Sequence, residues 1–163
     1  MNPSEVPWSR LNFEIESRLE AVPLLGQVAL LLSTAAGFPP LEGSQLEVCV
    51  VEAVNNSILH AYRGDPSRRV ELEVNLSSDR LIFDVWDSGT PGDPDKINAD
   101  HRGDLEVLLD AVEGMAESGR GLGIIQEIMD SSEYTPGKER NRFRMIKRRN
   151  FGQQPMTQSS IAV

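Results

Sequence analysis

The chain is poor in sulfur: Cys49 is its only cysteine among 163 residues. An intramolecular disulfide is excluded, and so is a zinc site built from several thiolates. Cys49 sits in the apolar run Val48-Cys49-Val50-Val51. That setting predicts a small buried hydrophobe rather than a nucleophile. Long hydrophobic runs are missing as well. The longest, Val28 to Leu32 and its surroundings, falls far short of the ~20 apolar residues that cross a bilayer. The first residues, Met1 to Pro7, lack the basic start and apolar stretch of a signal peptide. A soluble, cytoplasmic protein without a membrane partner is expected. Positive charge is in deficit, with a formal net charge of −9. An acidic surface repels nucleic acid. A metal–nucleotide complex, or a protein partner with a basic patch, suits the charge better.

The length suits one domain with a sizeable core. Leu11 to Leu19 alternates apolar and polar, which predicts a half-exposed strand. Pro23 can open a helix running to about Gly37. Pro39-Pro40 marks a break, and a second helix is expected from about Gly43 to Tyr62, before Gly64-Asp65-Pro66. Val70–Leu76 and Leu81–Trp86 flank the turn Ser77-Ser78-Asp79 and should form a hairpin. Gly89 to Ser118 differs in kind. It carries Asp104, Glu106, Asp110, Glu113 and Glu117 with no basic residue between them, and Leu105, Leu108, Leu109 and Val112 form a modest helical stripe. This predicts a long insertion carrying one short helix. Gly121 to Met129 reads as a helix, and Glu133–Thr135 with Arg142–Lys147 as a closing strand pair. In the basic cluster from Lys138 to Arg149, Phe143 and Met145 alternate with Arg142 and Arg144. A strand with one wet face explains it better than a nucleic-acid patch. Residues 150–163 lack periodicity and are expected to be a disordered tail behind a domain of residues 1–149. The order predicts an α+β fold, a layer of helices on one face of a mixed sheet.

Three segments carry candidate chemistry. Glu52, Asn56 and His60 recur every four residues, which on a helix places them on one stripe. Asn56 offers an amide oxygen, suited to Mg²⁺, which takes one or two protein oxygens and fills the rest with water and phosphate. Glu52, one turn earlier, could orient a hydroxyl or accept its proton. By themselves, Glu and Asn at this spacing also describe a solvated helix face, and His60 a cap or packing residue. Asp87 ends the apolar strand Leu81–Trp86 and could accept a hydrogen bond from a purine amino group, with Gly89 letting the ring approach the backbone; a plain Asp-x-Gly turn gives the same letters. Ser118-Gly119-Arg120-Gly121-Leu122-Gly123 runs into a helix, where freed backbone amides make an anion site. It fits neither common nucleotide fingerprint.

Taken as an ordered set, these segments resemble the GHKL (Bergerat) ATPase superfamily, and within it the anti-sigma-factor serine kinases of bacterial partner-switching systems. Glu52-Ala53-Val54-Asn55-Asn56 through His60-Ala61-Tyr62 is similar to the N box. Asp87-Ser88-Gly89 is similar to the first glycine box, and Gly119-Arg120-Gly121-Leu122-Gly123 through Met129-Asp130 to the second. The resemblance covers about residues 10 to 148. It implies a two-layer α/β sandwich that holds ATP, with Asp87 at the adenine and Asn56 reaching the phosphates through Mg²⁺. His60 and Gly89 would belong to the nucleotide site, and Gly119, Arg120, Gly121, Leu122 and Gly123 would lie by the phosphates. Glu52 would be the catalytic base, and residues 90–118 the lid over ATP. It further implies two exchangeable partners: a small antagonist protein phosphorylated on serine, and a sigma factor or other regulated protein. A homodimer is a further expectation; direct nucleic-acid binding is not. Pro91 stands where the first glycine box often has its second glycine, with Gly92 following. Neither His60 nor His101 lies in a helical hairpin before the ATPase elements, as a phosphoacceptor histidine would. The alternative is a module that holds ATP and switches partners without chemistry.

Overall fold

The computed structural model describes residues 9–103 and 120–149. The expected tail, Gly119, and the acidic stretch with its helical stripe lie outside the described residues. Strand β1 (Ser9–Glu16) leads into helices α1 (Val22–Ala35) and α2 (Pro40–Asn56). Strands β2 (Arg69–Leu76) and β3 (Arg80–Asp87) follow, then the short helix α3 (Pro94–Ile97), helix α4 (Arg120–Ile128), and strands β4 (Ser131–Thr135) and β5 (Asn141–Arg148). The five strands form one sheet in the order β1-β2-β3-β5-β4. The two-layer α+β architecture is as expected.

The sheet is antiparallel at every pairing, not mixed. Two helices joined by a short link return the chain to the end where β1 finished, so β2 runs back along it. β3 and β4 do share a direction, since both are antiparallel to β5. β5 lies between them, so this parallel relation never becomes a hydrogen-bonded pair.

The core fills the space between helices and sheet. Leu25 and Ala29 of α1 and Leu46, Val50 and Val54 of α2 meet Leu72, Val74, Phe83 and Val85 of the sheet. Each fully buried large side chain contributes about 1.5–3 kcal/mol. Cys49 is wholly buried, and burial pushes its thiol up to about 12, with Glu52 adding to the effect and Lys147 opposing it. A thiol kept protonated in this way is no nucleophile.

Helix α2 departs from its expected bounds at both ends. Pro40 is not a break but the opening of the helix, where a missing N–H costs nothing. At the other end the pitch changes: Ser57–Ala61 forms a π-helical turn, closed by the Tyr62 N–H donating to Ser57 O at 3.0 Å. Such turns hold an extra residue and gather at functional sites.

The sheet's other face is polar, and Arg142 and Arg144 do lie on it. Arg144 grips Asp84 through two bonds of 2.7 Å. Arg140 pairs with Glu71 at 2.7 Å and stands 4.7 Å from the centre of the Trp86 ring. Lys147 points to the helix side, where Nζ donates to Ile128 O at the end of α4 (2.7 Å). Among the described residues no helix is long and apolar enough to cross a membrane.

Candidate functional site

A cavity of about 470 Å³ opens where the end of α2 and the π-helical turn face the end of β3 and the segment after it. That volume lies in the range of small-molecule sites, roughly 300–1,000 Å³. Asn56, His60, Asp87 and Leu122 all line it. Four residues drawn from three separated sequence segments thus meet at one site.

Asp87 is buried and held by three donors. Its Oδ1 accepts from the Gly89 N–H (2.9 Å) and from Asn141 Nδ2 (2.8 Å), and its Oδ2 from the Ser57 hydroxyl (3.2 Å). A carboxylate oxygen accepts about two bonds. Oδ2 therefore keeps an acceptor position on a residue that faces the cavity, as recognition of an amino group requires. Asn141 also donates to Gly89 O at 3.1 Å and fixes the loop after β3.

Gly89 is required by the fold itself. A Cβ there would stand 2.5 Å from the Ala61 carbonyl oxygen, so the close neighbour is the protein's own backbone. The Thr90 N–H donates to the same oxygen at 3.0 Å. Tyr62 completes the seam: its hydroxyl donates to Arg69 O at 2.6 Å and accepts from the Ser88 N–H at 2.8 Å.

Glu52 is half-buried and does not line the cavity. It marks the crossing of α2 and α4, where a Cβ on Gly121 would come within 2.5 Å of Glu52 Oε2. Gly121 and Gly123 are buried within α4, while Arg120 is exposed at its start and Leu122 turns toward the cavity. Arg120 to Gly123 are themselves helical.

The segment after Asp87 is held in place. The Gly92 N–H donates to the Tyr134 hydroxyl at 2.9 Å, so the chain after Pro91 is fixed by a strand of the sheet. Burial raises the Tyr134 phenol, and the bond from Gly92 lowers it in part. Asn98 and Tyr134 exchange bonds, Nδ2 to Tyr134 O at 3.0 Å and the Tyr134 N–H to Oδ1 at 2.7 Å. Gln126 of α4 accepts from the His101 N–H and donates to Ala99 O, both at 2.7 Å. His101 is thus part of this anchorage.

Sequence reading missed Ser57, Asn141 and Tyr134. Asn141 opens β5, and the register sets it directly across from Asp87, a pairing that no local sequence signal announces. The donors fit a nucleotide: a buried carboxylate for the base, an amide for a metal, and an apolar wall of Ala53, Leu122 and Phe143. Among the described residues no cluster of three or more His, Cys, Asp or Glu could hold a metal. Mg²⁺ shared with phosphate oxygens needs no such cluster.

Residues 15–147 match the family described as the histidine kinase-like ATPase domain. The chain is 31% identical to the serine-protein kinase RsbW of Listeria innocua over 122 residues, covering 74% of this chain and 76% of that protein. It is 31% identical to the serine-protein kinase RsbW of Bacillus subtilis over 71% of this chain and 74% of that one. It is 32% identical to the anti-sigma F factor of Oceanobacillus iheyensis over 99 residues, 61% of this chain and 64% of that one.

Proposed function

This chain belongs to the histidine kinase-like ATPase domain family, and from that premise we propose that it is an ATP-dependent protein serine kinase of the partner-switching kind. It binds ATP with Mg²⁺ and phosphorylates a serine on a small antagonist protein. In the alternative state it holds a sigma factor or another regulated protein. The observation that carries this reading is the cavity with Asp87 on the sheet side and Asn56 on the helix side. The names of the relatives, serine-protein kinase and anti-sigma F factor, support the rest.

In this reading Asp87 accepts the purine amino group, and His60 walls the nucleotide. Asn56 presents its amide oxygen to Mg²⁺, which when bound neutralises charge on the phosphate oxygens. Arg120, Gly121, Leu122 and Gly123 would lie toward the phosphates. Glu52 takes the proton of the partner's serine hydroxyl. The new Oγ–P bond forms as the bond to the bridging oxygen breaks, and ADP leaves.

Replacing Glu52 with Gln separates chemistry from binding. Calorimetry should find Mg-ATP uptake within about twofold of wild type, while phosphate transfer falls by roughly 10²–10⁴. Full transfer by Glu52→Gln would remove Glu52 as the base. One observation favours a second reading, a non-catalytic ATP-binding switch: Glu52 lies against Gly121 and outside the cavity lining. Radiolabelled ATP incubated with the protein and a lysate of its native cell decides between them. A labelled band that depends on Glu52 supports the kinase; a protein that binds ATP and labels nothing supports the switch.

A further inference from the structure

We propose that Arg63 is a nucleotide-binding residue whose guanidinium covers the open face of the bound purine. The proposal rests on the nucleotide reading of the cavity and adds to it a residue that the motifs do not contain.

Arg63 is the only non-glycine residue with positive φ among the described residues, at 52°. This left-handed conformation disfavours residues that carry a Cβ. Helices that end this way ordinarily place glycine there. Gly64 follows with φ of 77°, so the chain has a glycine at hand and still keeps an arginine in the turn. Backbone strain of this kind persists where surrounding contacts enforce it, and it gathers at ligand sites. The enforcing contacts are visible: the Gly64 N–H donates to Ile58 O at 2.8 Å, and the Asp65 N–H to Tyr62 O at 3.0 Å.

Arg63 also lines the 470 Å³ cavity. Among the described residues none is hydrogen-bonded or ion-paired to its guanidinium. Its end of the cavity is the base end. Ala61, two residues earlier, touches Gly89, which bonds Asp87. Asn56, the metal-side residue, lies seven positions back, on the other side of the π-helical turn. A planar cation near a purine prefers to stack on its face. A positive side chain at a helix end could instead serve only the helix dipole. Replacement by glycine separates these roles, because glycine relieves the backbone and removes only the guanidinium.

The experiment titrates ATP, ADP and AMP, each with Mg²⁺, into the full chain and its Arg63→Gly, Arg63→Lys and Arg63→Gln variants. Arg63→Gly is expected to melt, without nucleotide, at the wild-type temperature or a few degrees above it. It should bind all three nucleotides more weakly by one common factor, roughly 2- to 30-fold. Arg63→Lys should recover part of that loss, and Arg63→Gln almost none. Unchanged affinity in Arg63→Gly overturns the proposal. So does a loss that grows from AMP to ATP, which would assign the guanidinium to the phosphates, and so does a lowered melting temperature, which would assign it to the fold. If wild type takes up none of the three, the nucleotide reading itself fails, a result distinct from all of these.

Discussion

At the scale of single residues, the site turns on how a buried carboxylate is kept company. Asp87 has three donors, and Asn141 is the one that also holds the following loop, through Gly89 O. Replacing Asn141 with Ala strips a bond from Asp87 and another from that carbonyl without touching the motifs. The expected outcome is a loss of about 1–3 kcal/mol in denaturant unfolding, the cost of leaving a buried acceptor without its donor. Nucleotide affinity should fall in the same variant, because Asp87 then turns with less restraint; calorimetry on the folded variant checks this. Asn141 was not legible in the sequence. Its partner is 54 positions away, and only the strand register joins them. That Asp87 and Asn56 would come together was legible, because each lies in a recognisable sequence motif, and both line the one cavity.

At the scale of elements, strands declared themselves better than the ends of helices. Alternation in Val70–Leu76 and Leu81–Trp86 is enforced by a sheet with one buried face, and β2 and β3 pair as a hairpin around Ser77 to Asp79. Helix α2 gave its length only roughly. Two adjacent prolines read as an interruption, though the second of them starts the helix. The change to π-helical pitch at Ser57 has no local signature; the turn it makes carries Ser57 and Ala61, which meet the end of β3 and the loop after it. The order of elements suggested a mixed sheet, but β5 lies between β3 and β4, and every hydrogen-bonded pair is antiparallel. The segment from Gly92 to His101 shows how a loop is tied down by side chains of other elements. Asn98 makes two bonds to the Tyr134 backbone in β4. Asn98→Ala should release that tie while leaving the global unfolding midpoint nearly unchanged. Hydrogen exchange is the measurement: the Tyr134 amide should exchange about fivefold faster or more, as a bond of about 1–3 kcal/mol predicts.

At the scale of the whole molecule, the two faces of the sheet obey different rules. One face is apolar and covered by helices; the other is laced with charge. The Asp84–Arg144 pair is the deepest of these contacts, with the Asp84 side chain at 1% exposure and that of Arg144 at 33%. The bonds to Asp84 raise the Arg144 guanidinium, although burial opposes the shift. Arg144→Met would strand a buried carboxylate, at a cost of about 3 kcal/mol; the double variant with Asp84→Leu should recover most of it in the same denaturation experiment. On the covered side, the cavity sits where the layers join: Ser57 comes from the helical layer, Asn141 from the sheet, and Asp87 binds both. An occupant of that joint must be evicted before the layers can part. Its presence adds to the work of unfolding, about 2.7 kcal/mol when supplied at a hundred times its dissociation constant. How long a molecule of this protein survives heat or proteolysis would then register the nucleotide level around it, with no partner and no chemistry involved.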